Sequence, residues 1–443
     1  MRSCGRSATG RWLIASASLP VSDTAFRRYL IRYLIPGLLF LAGGSPLRAE
    51  AGEGREPTNW PATITRLRQQ AYNRPGNAHT RQQLATAYNN YGVELTDQGQ
   101  WTLAAQQFQE ALRLDEDNRQ VQQNFSQVWL RQAHEAYERR DITAVVEALR
   151  QAIALNPELV DAYVLLGQAE YNRQRLKEAK AAWEKAVALD PSRTEIAAQL
   201  SQVTEELPVE SAFERLSQSY FDLRYEEHLE RPVGFDIRDA LITARRQVGS
   251  DFAYWPTYKL VVLIYSPEQF RQLREETPEW MGGQFDGKIR VPLPSEQFDQ
   301  AMVRNILFHE YTHALIHDLA KGRCPVWLNE GLAEYQGRTQ VSRPLSLLAQ
   351  AHEAQQLIPW AELSDHISPS LSAEEVGLAY EQSYAIVASL VNRYGFWRVR
   401  KLLQAIAGGQ PWEEAMAERF RRKLPRLEAD WKDSLPALLS LAR

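Results

Sequence analysis

Residues 63–206 carry a self-similar pattern of small and bulky side chains that restricts the fold of this stretch more than any other feature of the chain. In a 34-residue frame, position 4 is aromatic, position 8 is Gly or Ala, position 24 is bulky and position 27 is Ala. With positions 20 and 32 included, the pattern residues are Tyr88, Gly92, Ala104, Phe108 and Ala111, then Trp129, Ala133, Val145, Leu149, Ala152 and Pro157, then Tyr163, Gly167, Ala179, Trp183, Ala186 and Pro191. Small residues opposite bulky ones let two helices pack closely, so the pattern predicts successive helix pairs.

The pattern resembles that of tetratricopeptide repeats, which implies an all-α solenoid over residues 63–206. The first two frames start 41 residues apart instead of 34, which predicts an extended helix or an irregular turn between them. The segment from Ile64 to Pro75 is typical of the second helix of an additional, degenerate unit. Such a solenoid offers a groove for a peptide or a partner helix. With three or four units, a spacer or docking arm is an equally good interpretation.

The spacing of apolar residues changes near residue 210. From there to residue 437 it predicts a second domain that contains both strands and helices. Residues 217–224 alternate like a strand, and the run from Tyr258 to Tyr265 is typical of a buried strand. Ser266-Pro267-Glu268 then supplies an N-cap, a Pro at the first helical position and a first-turn acid. Residues 288–291 form a short strand that we expect at the sheet edge, where an extended substrate can lie. A plain hairpin is the alternative.

The sequence His309-Glu310-Tyr311-Thr312-His313 lies within a predicted helix over residues 302–319. Residues four apart lie on one helix face, so His309 and His313 can present two imidazole nitrogens to one ion. Glu310, one step round the helix, then lies beside the ion and not on it. The motif is short, and in a helix without a third ligand it is more often a solvated face than a metal site.

Glu330 is the candidate third ligand, because residues 326–336 read as a second helix between Pro325 and Gly337. Two His and one Glu form the ligand set of a catalytic zinc site whose fourth position is open. His317 competes for this role. It lies eight residues after His309, however, which is about 12 Å along a straight helix. One ion cannot bind both rings at ligand distances near ~2 Å, so the spacing favours Glu330.

This donor set predicts hydrolytic chemistry. A dication held here would act as a Lewis acid on a water molecule and on a peptide carbonyl. Glu310 would take the proton of the water and later pass it to the leaving amine. Glu334 lies one turn beyond Glu330, and metal-bound histidines usually donate their second N–H to a carboxylate. We therefore expect Glu334 to orient His309, with a solvated helix acid as the alternative.

Residues 1–49 have the character of a targeting segment. Arg27, Arg28 and Arg32 precede an apolar run over residues 34–42, and Ala49 can end a secretory signal. The run is shorter than the ~20 residues that span a bilayer. We therefore predict export to the periplasm or the extracellular space with cleavage of the signal, and an uncleaved anchor is the alternative. Residues 50–62 are rich in Gly, Glu and Pro and are predicted to be a linker.

Charge and cysteine usage narrow the classes of partner. The formal net charge of the chain is −4, and residues 1–49 alone contribute seven Arg against one Asp. The remainder is thus strongly acidic in balance, which does not favour nucleic acid or an anionic membrane as partner. Cys324 is the one cysteine that remains after removal of the signal, so no disulfide can form within the chain. We expect Cys324 to be a small core residue.

The two motifs together resemble the gluzincin clan of zinc metallopeptidases, in particular the bacterial peptidase MA-like domains. The motifs are His309-Glu310-x-x-His313 and the run Trp327-Leu328-Asn329-Glu330-Gly331-Leu332-Ala333. The similarity runs from about Phe213 to Trp431. It implies a thermolysin-like α+β catalytic domain over residues 210–437, with a mixed sheet, one Zn²⁺ ion and Glu330 as its third ligand.

The resemblance also implies a tyrosine that stabilises the oxyanion. Tyr380-Glu381-Gln382-Ser383 matches the Tyr-Glu-x-Gly pattern of the zinc aminopeptidases except that Ser383 replaces Gly. Tyr380 is therefore the candidate, and Tyr384 is the second choice. The Gly-x-Met-x-Asn motif of the exopeptidases is not evident around Met281, which leaves an endopeptidase as the expectation by analogy.

The sequence thus predicts an exported zinc peptidase whose repeats dock a protein or a peptide. Two other interpretations are also compatible with the sequence. The first is a non-catalytic repeat scaffold with a peptidase-like domain that binds and does not cut. The second is zinc-dependent hydrolysis of an amide that is not a peptide.

Overall fold

The computed structural model describes residues 59–226, 231–273, 283–293, 299–368 and 371–441. The chain divides into two compact units at the boundary between Leu207 and Pro208. The predicted signal or anchor at residues 1–49 and most of the predicted linker lie outside the described residues. Among the helices that are described, none combines the length and the apolar character needed to cross a membrane.

The first unit is a run of helices, and each of the first six packs against the one that follows it. The helices are α1 (Trp60–Asn73), α2 (Ala78–Asp97), α3 (Trp101–Leu114), α4 (Arg119–Glu138), α5 (Ile142–Leu155), α6 (Val160–Asn172), α7 (Leu176–Leu189) and α8 (Thr194–Glu210). Several begin at an Asn or Asp whose side chain accepts a hydrogen bond from a first-turn backbone N–H, as Asn77 does for α2. The predicted helix pairs are confirmed as α2 with α3, α4 with α5 and α6 with α7.

The small residues of the repeat pattern lie where the paired helices approach each other most closely. A Cβ atom at Gly167 would stand 2.3 Å from Nε1 of Trp183, and one at Gly92 would stand 2.8 Å from the Phe108 ring. Ala104 and Ala179, on the second helices, are fully buried. The small and bulky positions are therefore packing positions, as the spacing predicts.

The longer first interval has a simple structural cause. Helix α6 starts at Val160, the first position of its 34-residue frame, and has 13 residues. Helix α4 starts at Arg119, ahead of its frame start at Ser126, and has 20 residues. The additional residues thus extend α4 by about two turns, at 3.6 residues per turn.

Replacing Gly167 with Ala is expected to destabilise the solenoid, because the new methyl group overlaps the Trp183 ring. The free energy of unfolding should fall by about 1–3 kcal/mol, the usual cost of overpacking. Urea denaturation followed by far-ultraviolet circular dichroism measures the change. Gly76→Ala is the matched control, since nothing lies within 4 Å of a Cβ at Gly76. Equal shifts for the two variants would contradict this packing argument.

The second unit contains a small mixed sheet and many helices. Its strands are β1 (Glu214–Ser217), β2 (Phe221–Tyr225), β3 (Leu260–Tyr265), β4 (Gln284–Phe285) and β5 (Ile289–Pro292). Its helices are α9 (Arg231–Phe252), α10 (Pro267–Leu273), α11 (Gln300–Leu319), α12 (Val326–Arg338), α13 (Ser346–Glu353), α14 (Ala373–Tyr394), α15 (Phe396–Ala407), α16 (Trp412–Phe420) and α17 (Leu424–Leu441). The strand order is β1-β2-β3-β5-β4. The outer pairs β1–β2 and β4–β5 are antiparallel, and β3 is parallel to both β2 and β5.

The central strand β3 is buried on both faces of the sheet. All six residues of β3 are buried, as its continuous apolar run predicts. Val262 and Ile264 belong to the main core, together with apolar residues of α9 and α11. Leu263 and Tyr265 point to the opposite face, where they pack with Phe270 of α10. The main core supports α11, the helix that carries the His-Glu-x-x-His motif.

Two predictions about the strands are wrong. Residues 217–224 do not form one strand, because the chain reverses between Gln218 and Phe221 and separates β1 from β2. The strand β5 does not form the sheet edge, because β3 pairs with one side of it and β4 with the other. A turn at Asp286-Gly287 folds β4 back onto β5, with Gly287 at φ 100°. The outermost strand among the described residues at this end is therefore β4.

Candidate metal centre

Helix α11 positions two candidate ligands and the candidate base inside the second unit. Asp299 caps the helix by accepting hydrogen bonds from the backbone N–H groups of Ala301 and Met302. Most of the middle of the helix is buried all round, in contact with α9 and α12. His309 and His313 are each 1% exposed. Their ring centroids are 4.7 Å apart, as expected for residues four apart on one helix face.

Helix α12 packs against α11 and carries Glu330 to the two imidazole rings. Glu330 is fully buried, and its Oε2 atom lies 3.4 Å from Nε2 of His309 and 3.4 Å from Nε2 of His313. One donor atom from each of these three residues lies within 4.8 Å of the donor atoms of the other two. The structure thus brings the three predicted ligands together and forms a group that can hold a metal ion.

These distances fit a shared ion better than direct hydrogen bonds. An N–H···O hydrogen bond between neutral groups is usually 2.7–3.2 Å long, so 3.4 Å is long for one. Ligand atoms about 2.05 Å from a tetrahedral zinc ion are separated by roughly 3.3 Å. The imidazole nitrogens and the carboxylate oxygen are also the donor types that zinc prefers. The residues therefore fit the ion in both spacing and chemistry.

Glu334 lies one turn after Glu330 and contacts the other nitrogen of the first ligand. Its Oε1 atom is 3.3 Å from Nδ1 of His309, and its Oε2 atom is 2.8 Å from Nε of Arg338. Glu334 is buried, which raises the pKa of its carboxyl group. The hydrogen bond with His309 and the charges of Arg338 and Arg343 outweigh burial and lower this pKa to about 2. The expected contact between Glu334 and His309 is therefore present.

Negative charge dominates the centre. Burial raises the pKa of Glu330, but the neighbouring His313 and His309 lower it to about 2, so its carboxylate is ionised. Burial lowers the pKa of His309, and the surrounding carboxylates of Glu330, Glu334 and Glu310 together raise it to about 10. Glu310 is itself fully buried. Three carboxylate groups around two imidazole rings favour the binding of a cation between them.

The backbone at Gly283 lies against the candidate base. A Cβ atom at Gly283 would stand 2.6 Å from Oε1 of Glu310. Gly283 directly precedes β4, so the outermost strand starts beside the Glu310 carboxylate. The Gly282-Gly283 pair was the only sequence signal for this contact, and it did not indicate the partner.

Helix α14 places Tyr380 at the same centre. The helix begins with a capping box in which Ser372 and Glu375 bond to each other's backbone N–H groups. The buried Tyr380 hydroxyl forms a hydrogen bond with Glu330. Burial and the negative charges of Glu330 and Glu334 raise the pKa of Tyr380 well above its ordinary value, so the phenol stays protonated. Tyr384, the second choice, instead contacts Tyr335 and Arg338.

Two further residues lie near the centre without joining the donor group. His317 packs its ring against Phe285 of β4 at a centroid distance of 5.7 Å. Cys324 is half-buried and packs against the main core. Burial and the charge of Glu330 raise the pKa of its thiol, so the side chain is uncharged. Neither residue belongs to the group of donor atoms within 4.8 Å of one another.

Two family models match parts of this chain. The family model of the Peptidase MA superfamily matches residues 255–437. The second unit thus contains a Peptidase MA superfamily domain. A tetratricopeptide repeat model matches residues 130–194, within the helical unit. No curated protein matches the chain.

Solved structures similar to the chain include two TPR domains and MamA. The first TPR of Spaghetti (RPAP3), bound to an HSP90 peptide, is 22% identical over 28% of this chain and 94% of that chain, with a TM-score of 0.21. The Arabidopsis OM64 TPR domain is 20% identical over 28% and 96% of the two chains, with a TM-score of 0.21. A crystal structure of MamA protein is 16% identical over 43% and 85%, also with a TM-score of 0.21.

Proposed function

We propose that the protein is a zinc-dependent peptidase with a thermolysin-like active centre of the gluzincin type. The observation that carries the proposal is the spacing of 3.4 Å from one oxygen of Glu330 to Nε2 of both His309 and His313. These residues would hold the ion, which when bound supplies Lewis acidity toward a water molecule and a peptide carbonyl. The Peptidase MA domain around them supports the same reaction class.

Glu310 is the proposed general base and acid. It lies next to the ligand His309 on α11, and its buried carboxylate has little competition from bulk water. It would take a proton from the attacking water and deliver it to the nitrogen of the leaving amine. Tyr380 would donate its hydroxyl hydrogen to the oxyanion as the tetrahedral intermediate forms. The raised pKa of Tyr380 keeps that donor protonated at neutral pH.

The outer strand β4 is the proposed binding edge for an extended substrate. An added peptide strand pairs through backbone hydrogen bonds with the free side of an outermost strand. Because Gly283 directly precedes this strand and lies against Glu310, a peptide along β4 would pass beside the base. The strand β5, which the sequence predicts at the edge, is paired on both sides and cannot take this role.

Gly283→Ala is expected to lower the rate of hydrolysis by roughly 10²-fold, the typical cost of displacing a reacting group by ~1 Å. The added Cβ would overlap Oε1 of Glu310 and displace the carboxylate. The zinc content should stay at the level of the unchanged protein, because Glu310 is not a ligand. Steady-state kinetics and atomic absorption measure the two quantities, with Gly76→Ala as the control. Unchanged kinetics in Gly283→Ala would refute the proposed contact.

We further propose that the helical repeats dock a protein or a peptide for the peptidase. Amide side chains connect the first helices of neighbouring repeats, with Asn124 donating to Asn89 at 2.9 Å and Gln199 donating to Gln168 at 3.3 Å. Amides carry both donors and acceptors and suit the backbone of an extended peptide. We also propose that residues 1–49 direct export to the periplasm or the extracellular space.

Incubation of the purified full chain with casein tests the proposed activity. We expect cleavage that a zinc chelator abolishes and that added Zn²⁺ restores. Mass spectrometry of the products separates internal cleavage, the expected result, from removal of single terminal residues. Bound zinc without cleavage of casein or of a peptide library would favour the non-catalytic scaffold.

A further inference from the structure

Arg338 is the last residue of α12. It is connected to the candidate metal ligand His309 through the carboxylate of Glu334. Its side chain is 9% exposed, and its Nε lies 2.8 Å from Oε2 of Glu334. The other oxygen of the same carboxylate lies 3.3 Å from Nδ1 of His309. One carboxylate thus contacts the imidazole with one oxygen and the guanidinium with the other.

We propose that Arg338 is a positioning residue that holds Glu334 in the orientation that accepts the Nδ1 proton of His309. With its proton on Nδ1, His309 presents an unprotonated Nε2 to the metal. The inference rests on the proposed metal centre and extends it beyond the residues that touch the ion. Arg338 itself lies outside the group of candidate ligands.

The guanidinium is fixed by groups on three sides. In addition to its contact with Glu334, Arg338 donates from Nη1 to the backbone oxygen of Arg343 at 2.9 Å. Its guanidinium carbon lies 4.6 Å from the centroid of the Tyr384 ring on α14. Arg343 in turn donates to Oδ1 of Asn305 on α11 at 2.6 Å. The position of Arg338 is therefore set by several elements and not by its own helix alone.

The shape of the guanidinium suits this task better than an ammonium group does. Its planar fork can donate to a carboxylate and to a backbone carbonyl in two fixed directions while one face stacks on an aromatic ring. A lysine would supply the charge without the fixed geometry. This difference predicts that Arg338→Lys restores only part of the effect.

Charge balance gives a second reason for the arginine. Glu310, Glu330 and Glu334 are buried carboxylates within one centre. Removing the positive partner of a buried carboxylate is costly, and Glu334 would then turn away from its present position. His309 would thereby lose its acceptor. Loss of such an outer partner typically weakens metal affinity by about 10–100-fold.

The zinc affinity of the full chain, measured by competition with a chromogenic chelator, tests the inference without substrate. We expect Arg338→Gln to weaken zinc binding by about 10–100-fold and Arg338→Lys by less. The visible spectrum of the Co²⁺-loaded protein should also change in Arg338→Gln, because it reports ligand geometry. Arg304→Gln is the matched control, since Arg304 lies on α11 and donates from Nε to the amide oxygen of Gln340 at 3.2 Å.

A double substitution separates positioning from general loss of structure. If Arg338 acts through Glu334, the variant that combines Arg338→Gln with Glu334→Gln should bind zinc as Glu334→Gln alone does. Additive losses, or an affinity of Arg338→Gln equal to that of Arg304→Gln, would overturn the inference. Thermal unfolding of the metal-free variants reports whether each one folds, and Arg338→Lys preserves the charge if Arg338→Gln does not fold.

The outcomes also separate this inference from the proposed function. A wild-type protein that binds zinc but cuts no peptide would contradict the peptidase and leave the role of Arg338 intact if the affinities behave as described. A wild-type protein that cleaves casein while Arg338→Gln binds zinc normally would support the peptidase and overturn the role of Arg338. If the wild type binds no zinc, both proposals fail.

Discussion

Glu310→Gln is expected to keep its zinc and to lose peptide hydrolysis by roughly 10²–10⁴-fold, the usual contribution of a general acid–base group. The amide has nearly the same size as the carboxylate, so the fully buried pocket that holds Glu310 should remain filled. The amide cannot accept a proton from water at neutral pH. The ligands His309, His313 and Glu330 are unchanged, and the metal should therefore stay bound.

The measurement is kcat/KM on a casein-derived peptide together with the zinc content of the same preparation. Glu353→Gln serves as the control, because Glu353 is at the end of α13 and outside the donor group. Full turnover by Glu310→Gln would remove Glu310 from the mechanism and would leave the metal centre as a binding site. Loss of zinc in Glu310→Gln would instead show that the carboxylate supports the ligands.

The helical parts of the protein could be predicted because their signals are local. The positions of Gly167 and Trp183 in the repeat frame indicate a close helix pair, and the structure shows these two residues in contact. The spacing of His309 and His313 likewise needs only one helix to bring the rings together. Local periodicity also explains why Glu334 could be predicted to lie near His309, one helical turn from Glu330.

The sheet edge could not be predicted from local patterns, because strand order depends on pairing between distant segments. Residues 288–291 read correctly as a strand, but the pairing of β4 with one side and β3 with the other moved the edge to Gln284-Phe285. The contact of Gly283 with Glu310 depends on the same pairing. The order of motifs along the chain contains no information about such neighbours.

The contact of Arg338 with Glu334 has a signal in the sequence, but this signal does not indicate burial. Glu334 and Arg338 are four residues apart, the spacing of an ion pair on a helix. Such pairs are usually exposed and weak, and the sequence does not show that this one is buried. Burial of both side chains, at 9% and 5% exposure, gives the pair its proposed importance. Burial here comes from α14 and from the segment after α12, which only the tertiary structure brings together.

Glu330→Ala is expected to abolish hydrolysis and to weaken zinc binding by more than the roughly 10–100-fold typical of losing an outer-shell partner. The substitution removes the one carboxylate oxygen that lies 3.4 Å from both imidazole nitrogens. It leaves two ligands where a catalytic zinc site has three from the protein. Equilibrium dialysis against buffered zinc measures the affinity, and a peptide assay measures turnover.

The matched substitution is His317→Ala on the same metal helix. His317 packs against Phe285 and lies outside the donor group, so this variant should bind zinc as the unchanged protein does. Thermal unfolding of metal-free Glu330→Ala separates loss of a ligand from loss of the fold, because the cavity left at a fully buried position also destabilises. The opposite pattern, with zinc kept in Glu330→Ala and lost in His317→Ala, would transfer the third ligand to His317. Glu330 would then be an ordinary buried acid, and the proposed zinc site formed by His309, His313 and Glu330 would have no support.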